Sequence, residues 1–175
     1  MRLRLDLCDV DMQLKIRNWK APNSEDDWSA GWTHAELSLH SSYLNYDRDG
    51  ELFLSDEISD LCCALDALLS GTMKQDFCLR FAEPDIEFDF RVAKRLYSIP
   101  GKIIYRNGYE DVDIYLDMHI NFWCHGGLGS NTFTMVLDRQ EIEAFCVYLK
   151  IVTGQLSEDD PIVKELLRKG SLLPE

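Results

Sequence analysis

Phe133-Thr-Met-Val-Leu-Asp-Arg-Gln-Glu-Ile-Glu-Ala-Phe145 decides the fold, because the spacing of its apolar residues changes midway. Phe133, Met135 and Leu137 recur at every second residue, which marks a half-buried strand. Beyond Asp138 the interval becomes three and four, and Ile142, Phe145, Leu149 and Val152 form one helical stripe. Asp138 is placed to cap this helix and Gly154 to end it. The same change occurs earlier in the chain. Tyr43 to Leu54 reads as a hairpin turning at Asp47-Arg48-Asp49-Gly50, and Ser55-Asp-Glu-Ile then opens a helix. Ser55 is its expected cap, Ile58, Leu61, Leu65 and Leu68 its apolar stripe, and Gly71 its end.

Outward from these two junctions, strand periodicity fills most of the chain. Met12, Leu14 and Ile16 predict a strand over residues 10–19, and Ala35, Leu37 and Leu39 another over 32–40. After the first helix come Phe77–Phe81, Ile86–Val92, a short strand 101–106 before the turn Asn107-Gly108, and the long run Val112–Phe122. Asp159-Asp160-Pro161 starts a short terminal helix carrying Ile162, Leu166 and Leu167. Strands come in runs and are not interleaved singly with helices, which excludes a doubly wound parallel sheet. The expected class is α+β: two antiparallel meanders packed together, each followed by an amphipathic helix. Residues 1–154 are expected as one domain and 155–175 as a helical appendage.

At 175 residues with 46% hydrophobic and 11% aromatic content, the chain can bury a core and is not disordered as a whole. Its apolar runs are only a few residues long, far short of the roughly 20 that a membrane helix needs. The first residues, Met1-Arg-Leu-Arg-Leu-Asp-Leu7, do not read as a signal peptide. Charge is the strongest compositional signal: 18 Lys and Arg against 31 Asp and Glu give −13. Such a molecule repels phosphates and anionic membranes and attracts basic proteins. The six cysteines form no C-x-x-C pair and read as small buried residues in a reducing, cytoplasmic setting.

Motifs for catalysis do not assemble. His34, His40, His119 and His125 lack metal-ligand spacing, so no metal and no cofactor are expected. Cys124-His125 are strand neighbours whose side chains point apart, and the chain has no G-x-S-x-G elbow. Gly126-Gly-Leu-Gly-Ser130 joins two strands and lacks the lysine of a phosphate loop. Glu83, Asp85, Glu87 and Asp89 form an acidic ladder, read as a face that meets cations. Arg91, Lys94, Arg95, Lys102 and Arg106, interleaved with Tyr97, Tyr105 and Tyr109, are one local basic stretch. Acidic clusters recur in expected loops, each near an aromatic. Asp26 and Asp27 precede Trp28, Glu83 and Asp85 follow Phe81, and Glu110 and Asp111 follow Tyr109. Carboxylates speed encounter with a basic partner, and an aromatic anchor supplies binding energy. Asp26, Asp27, Trp28, Glu83, Asp85, Tyr109, Glu110 and Asp111 are therefore the expected partner-binding residues.

In element order the chain is similar to the duplicated strands-plus-helix plan of Whirly and PUR-type proteins. Leu54 to about Tyr148 also resembles the WapI-like immunity proteins of bacteria. The residues that carry this are the helix Ser55-Asp-Glu-Ile-Ser-Asp-Leu-Cys-Cys-Ala-Leu-Asp-Ala-Leu-Leu69, then Phe77-Cys-Leu-Arg-Phe-Ala-Glu-Pro-Asp-Ile-Glu-Phe-Asp-Phe90, Gly101-Lys-Ile103 and Phe133-Thr-Met-Val-Leu-Asp-Arg-Gln-Glu-Ile142. The resemblance implies a non-enzymatic inhibitor of a contact-delivered or secreted toxin with a nuclease tip. A nuclease is basic because it binds nucleic acid, and an acidic inhibitor suits it. The expected function is an immunity protein that binds its toxin one to one, without contacting nucleic acid or membrane itself. Two alternatives belong to other classes: a small hydrolase using residues 83–89 with His34 or His119, and a single-stranded nucleic-acid module using Arg91 to Arg106.

Overall fold

In the computed structural model, residues 1–7, 9–21, 31–92, 114–123 and 130–174 are described. The first unit is the antiparallel meander β1 (Arg2–Leu7), β2 (Val10–Arg17), β3 (Trp32–His40) and β4 (Asn45–Leu54), followed by α1 (Ser55–Leu69). The second is β5 (Phe77–Leu79), β6 (Ile86–Val92), β7 (Ile114–Trp123) and β8 (Ser130–Leu137), followed by α2 (Arg139–Val152). A short α3 (Pro161–Lys169) and β9 (Leu172–Leu173) complete the chain. The strands form two sheets, ordered β4-β3-β2-β1-β9 and β5-β6-β7-β8, with antiparallel neighbours throughout. The α+β class with two meanders, each closed by a helix, is thus what the chain adopts.

Alternation places the core. Leu3, Leu5, Met12, Leu14, Leu37 and Leu39 face inward from the first sheet, and Phe88, Phe90, Leu116, Met118, Ile120 and Leu137 from the second. Between them α2 touches β1 of one sheet, β7 and β8 of the other, and α1 and α3. A helix packed on several sides must be apolar well beyond one stripe. Hence Cys146, Val147 and Tyr148 are buried beside the expected Ile142, Phe145 and Leu149. Tyr148 fits because its hydroxyl accepts a hydrogen bond of 2.6 Å from the Ile16 backbone N–H, which ties α2 to β2.

Helix ends follow the chemistry of their residues. Asp138 accepts from the N–H groups of Gln140 and Glu141, at 2.8 and 3.0 Å, while the Glu141 carboxylate accepts from the Asp138 N–H at 2.7 Å. Gly71 and Gly154, at φ of 70° and 71°, turn the chain out of α1 and α2. Ser55 does not cap α1. It is the first helical residue and is buried, and its N–H donates to the Gly31 carbonyl at 2.6 Å. Its carbonyl accepts from the Trp19 indole at 3.0 Å, and the Leu54 N–H is met by the Glu57 carboxylate at 2.7 Å.

Three further expectations are corrected. Asp47-Arg48-Asp49-Gly50 is no turn but the middle of β4. The true turn lies at residues 41–44, where the Ser41 hydroxyl accepts from the N–H groups of Tyr43 and Leu44. Charged residues and a glycine are tolerated in β4 because it is an edge strand, and outward acids also discourage edge-to-edge pairing. Second, β1, which lies between β2 and β9 in its sheet, is not among the expected strands. Third, Cys63 and Cys78 are exposed, while Cys62 and Cys146 are buried. The segment after residue 154 is stitched into the fold: β9 pairs with β1, and Val163 and Leu172 are fully buried. The expected strand 101–106 and the turns 107–108 and 126–129 lie outside the described residues.

Candidate functional site

Of the acidic ladder, Glu87 and Asp89 lie on β6 and Glu83 and Asp85 in the connection before it, and the cations that meet Asp85, Glu87 and Asp89 come from the chain itself. Asp85 turns toward the first sheet, where its carboxylate lies 3.2 Å from the Arg48 guanidinium of β4. Its side chain is only 7% exposed, and the Asp85 carbonyl accepts from the Asn121 N–H at 2.8 Å. Close by, Tyr46 and Phe122 pack edge to face, with centroids 4.6 Å apart. Burial, and then the Asp85 charge, push the Tyr46 hydroxyl above its ordinary range. This is a clasp between the two sheets. Arg48→Met should strand a buried carboxylate and cost about 1–3 kcal/mol, measurable by urea unfolding. A loss below about 0.5 kcal/mol would mark it as an ordinary surface pair.

Asp89 sits on the outward face of the second sheet at the centre of a network. Arg80 reaches it at 2.8 Å and Glu87 at 3.2 Å. Arg91 joins Asp89 at 2.7 Å to Asp117 at 3.1 Å, and His119 lies 3.5 Å from Asp89. Burial alone would raise the Asp89 carboxyl. Hydrogen bonds from Arg80 and Cys78, and the charges of Arg80 and Arg91, more than offset this and hold it below its usual value. In turn, the hydrogen bond to Asp89 raises the Cys78 thiol. Arginines thus engage Glu87, Asp89 and Asp117 in one network.

The other sheet carries its own outward network. Arg2 bridges Gln13 at 3.1 Å and Glu36 at 3.0 Å, Arg17 also pairs with Glu36, and Arg4 pairs with Asp11 at 2.9 Å. His34 lies 2.5 Å from Asp49 and His40 3.3 Å from Asp47. Arg2, Gln13, Glu36, Ser38, Asp47 and Asp49 border a shallow, open hollow of about 300 Å³. Of the two histidines named in the hydrolase alternative, His119 lies beside Asp89 of the ladder, whereas His34 is on the other sheet against Asp49.

Where the acidity faces solvent is therefore distinct from the ladder. Asp47 and Asp49 are each 68% exposed on the outward row of β4, with Glu51 exposed beside them. Glu83, in the connection between β5 and β6, is exposed as well. Asp26, Asp27, Trp28, Tyr109, Glu110 and Asp111 lie outside the described residues, as do Lys94 to Arg106. Of the expected partner-binding residues that are described, Glu83 stands free on the surface and Asp85 is an internal clasp. The β4 row escaped the sequence reading because Asp-Arg-Asp-Gly has turn composition; its alternation with Tyr46, Arg48 and Leu52 was the available signal.

A family model, the Immunity protein WapI-like family, matches residues 9–156, from the start of β2 to just beyond α2. The chain belongs to the WapI-like immunity protein family. The match takes in β2 to β4, the whole second meander and both central helices, a wider span than the 54–148 that carries the sequence resemblance. No curated protein matches the chain. Among solved structures the chain is similar to one described as the plant transcriptional regulator PBF-2, with 7% identity, a TM-score of 0.42, and coverage of 100% of this chain and 97% of that one. A likeness at that level carries nothing about the function of this immunity protein. As a family member it has a cognate toxin to bind, and among its described residues no helix is long and apolar enough to cross a membrane.

Proposed function

We propose that this immunity protein neutralises a basic nuclease toxin in the cytoplasm by binding its catalytic domain one to one. In this reading acidic loops cover the toxin's active site, and the protein itself carries out no catalysis. Membership of the WapI-like family is the observation that carries the reading. The net charge of −13 supports a basic partner, since complementary fields accelerate encounter and favour the right partner over acidic bystanders. The contact residues we assign are Asp26, Asp27, Glu83, Glu110 and Asp111, with Trp28 and Tyr109 as anchors. Asp85 acts by holding the loop that carries Glu83 against β4.

The experiment is a pull-down from cells of the source strain with the protein as bait, washed first at low and then at high salt. One basic protein released only by high salt or denaturant is the expected result. Retention of no protein even at low salt would overturn the proposal.

A further inference from the structure

At the seam between the two central helices, three metal-ligating side chains converge. Cys62 and Asp66 are four apart on α1, and Cys146 and Lys150 four apart on α2, so each pair shares a helix face. The helices cross with the start of α2 near the end of α1, where Arg139 donates to the Leu69 carbonyl at 3.5 Å. The residue after α2 and its turn, Gln155, brings its side-chain amide to 4.0 Å from the Cys62 sulfur. The Cys146 Sγ lies 3.4 Å from the Asp66 Oδ1, and the two sulfurs and the carboxylate oxygen are all within 4.8 Å of one another.

We propose that Cys62, Asp66 and Cys146 form a binding site for a thiophilic divalent cation of the zinc class. Zinc holds sulfur at about 2.3 Å and carboxylate oxygen at about 2.0–2.2 Å, so tetrahedral edges come to roughly 3.5 Å for S···O and 3.8 Å for S···S. The observed S···O separation already matches, and the sulfurs need only side-chain rotation. Two thiolates with one carboxylate select a soft cation over magnesium or calcium. The Gln155 side chain, whose amide nitrogen lies 4.0 Å from the Cys62 sulfur, would supply its oxygen to the fourth position by rotation, or a water would fill it.

Charge also balances. Two thiolates and a carboxylate around a divalent ion leave one negative charge, which the Lys150 ammonium, 2.6 Å from the Asp66 Oδ1, neutralises. Both contacts fall on Oδ1, so binding the ion there requires the lysine to shift to the second carboxylate oxygen of Asp66. On binding, the two thiols give their protons to solvent, and no oxidant or reductant is required. The cysteines are 1% and 2% exposed, but the half-exposed Asp66 side chain marks a route in from the surface. The ion would pin α1 to α2, joining the two strands-plus-helix units at their helices. This site is independent of how the toxin is bound.

The test is a titration of the full chain, reduced and freed of metal with a chelator, with cobalt(II) as the probe. The expected result is a thiolate-to-cobalt charge-transfer band and tetrahedral visible bands, both saturating at one equivalent and bleached by zinc(II). Cys146→Ala should abolish the bands. Asp66→Asn, at a half-exposed position that leaves the core intact, should weaken binding at least tenfold, and Cys63→Ser and Cys78→Ser should leave it unchanged. Natively folded protein with no charge-transfer band at one equivalent would overturn the proposal. So would a band that survives Cys62→Ala together with Cys146→Ala in a variant whose circular dichroism is native.

Discussion

Phe88→Ala is expected to cost about 3–5 kcal/mol, a loss that takes a large share of the roughly 5–15 kcal/mol holding an ordinary domain together. Phe88 is fully buried in the middle of β6. Its ring packs against Phe81 and Phe145, each with centroids 5.8 Å away. Phe81 in turn meets Phe53 at the end of β4 at 5.4 Å. The aromatic chain thus runs from the first sheet, through the connection after β5, to the second sheet and α2. Removing its central ring opens a cavity where both sheets meet the helix layer, and fully buried neighbours such as Leu116 and Phe145 have little freedom to fill it. Urea unfolding should show the midpoint fall with little change in slope. Phe88→Leu, which keeps most of the volume, should lose clearly less. A cost under about 1 kcal/mol for the alanine variant would mean that the sheets and helices do not share one core at this point.

Reversal of loop charge should act on association and leave stability nearly intact. Asp26→Lys with Asp27→Lys, combined with Glu110→Lys and Asp111→Lys, replaces four negative charges by four positive ones on a protein of net charge −13. Electrostatic steering contributes factors of about 10 to 1,000 to on-rates. The association rate with the basic toxin should therefore fall at least tenfold at low salt, and its steep decline with ionic strength should flatten. Glu83→Lys, at an exposed position, should add to the effect. Asp85→Lys would give a different signature, because Asp85 is buried against Arg48; its effect should appear in unfolding as well as in binding. If reversal at all three loops leaves association and inhibition unchanged, the interface lies elsewhere. The exposed β4 row of Asp47, Asp49 and Glu51 is then the next surface to reverse.

The architecture was legible wherever one periodicity held for five or more residues. β3, β6 and β7 alternate cleanly because each buries one face, and α1 and α2 show their stripes and terminal glycines. Trouble came where two signals compete. In β4 the polar row of an edge strand spelled a turn, and the half-burial of Tyr46 and the full burial of Leu52 on the opposite face decided otherwise. Ser55 had cap chemistry, but tertiary hydrogen bonds to Gly31 and Trp19 drew it into the helix. β9, two residues long, acquires meaning only by pairing with β1 across the length of the chain, whereas β1 alternates Leu3 and Leu5 with Arg2 and Arg4 and pairs with neighbouring β2, so its signal was present in the sequence. At the candidate site, the acidic ladder could be read but its partners could not. Arg48 is 37 residues from Asp85 in sequence, and nothing in either neighbourhood announces the other. The Cys62–Asp66–Cys146 cluster was hidden in the same way, split between two helices 84 residues apart.

The central claim, that the protein neutralises a nuclease toxin by binding it, is tested most directly with the partner recovered by pull-down. Its cleavage of RNA and DNA should be followed while the immunity protein is added in measured equivalents. The account predicts that cleavage falls linearly and stops at one equivalent, and that the block weakens in the loop-reversed variant. Cleavage that continues undiminished under excess immunity protein, or a partner that cuts no nucleic acid, would contradict it.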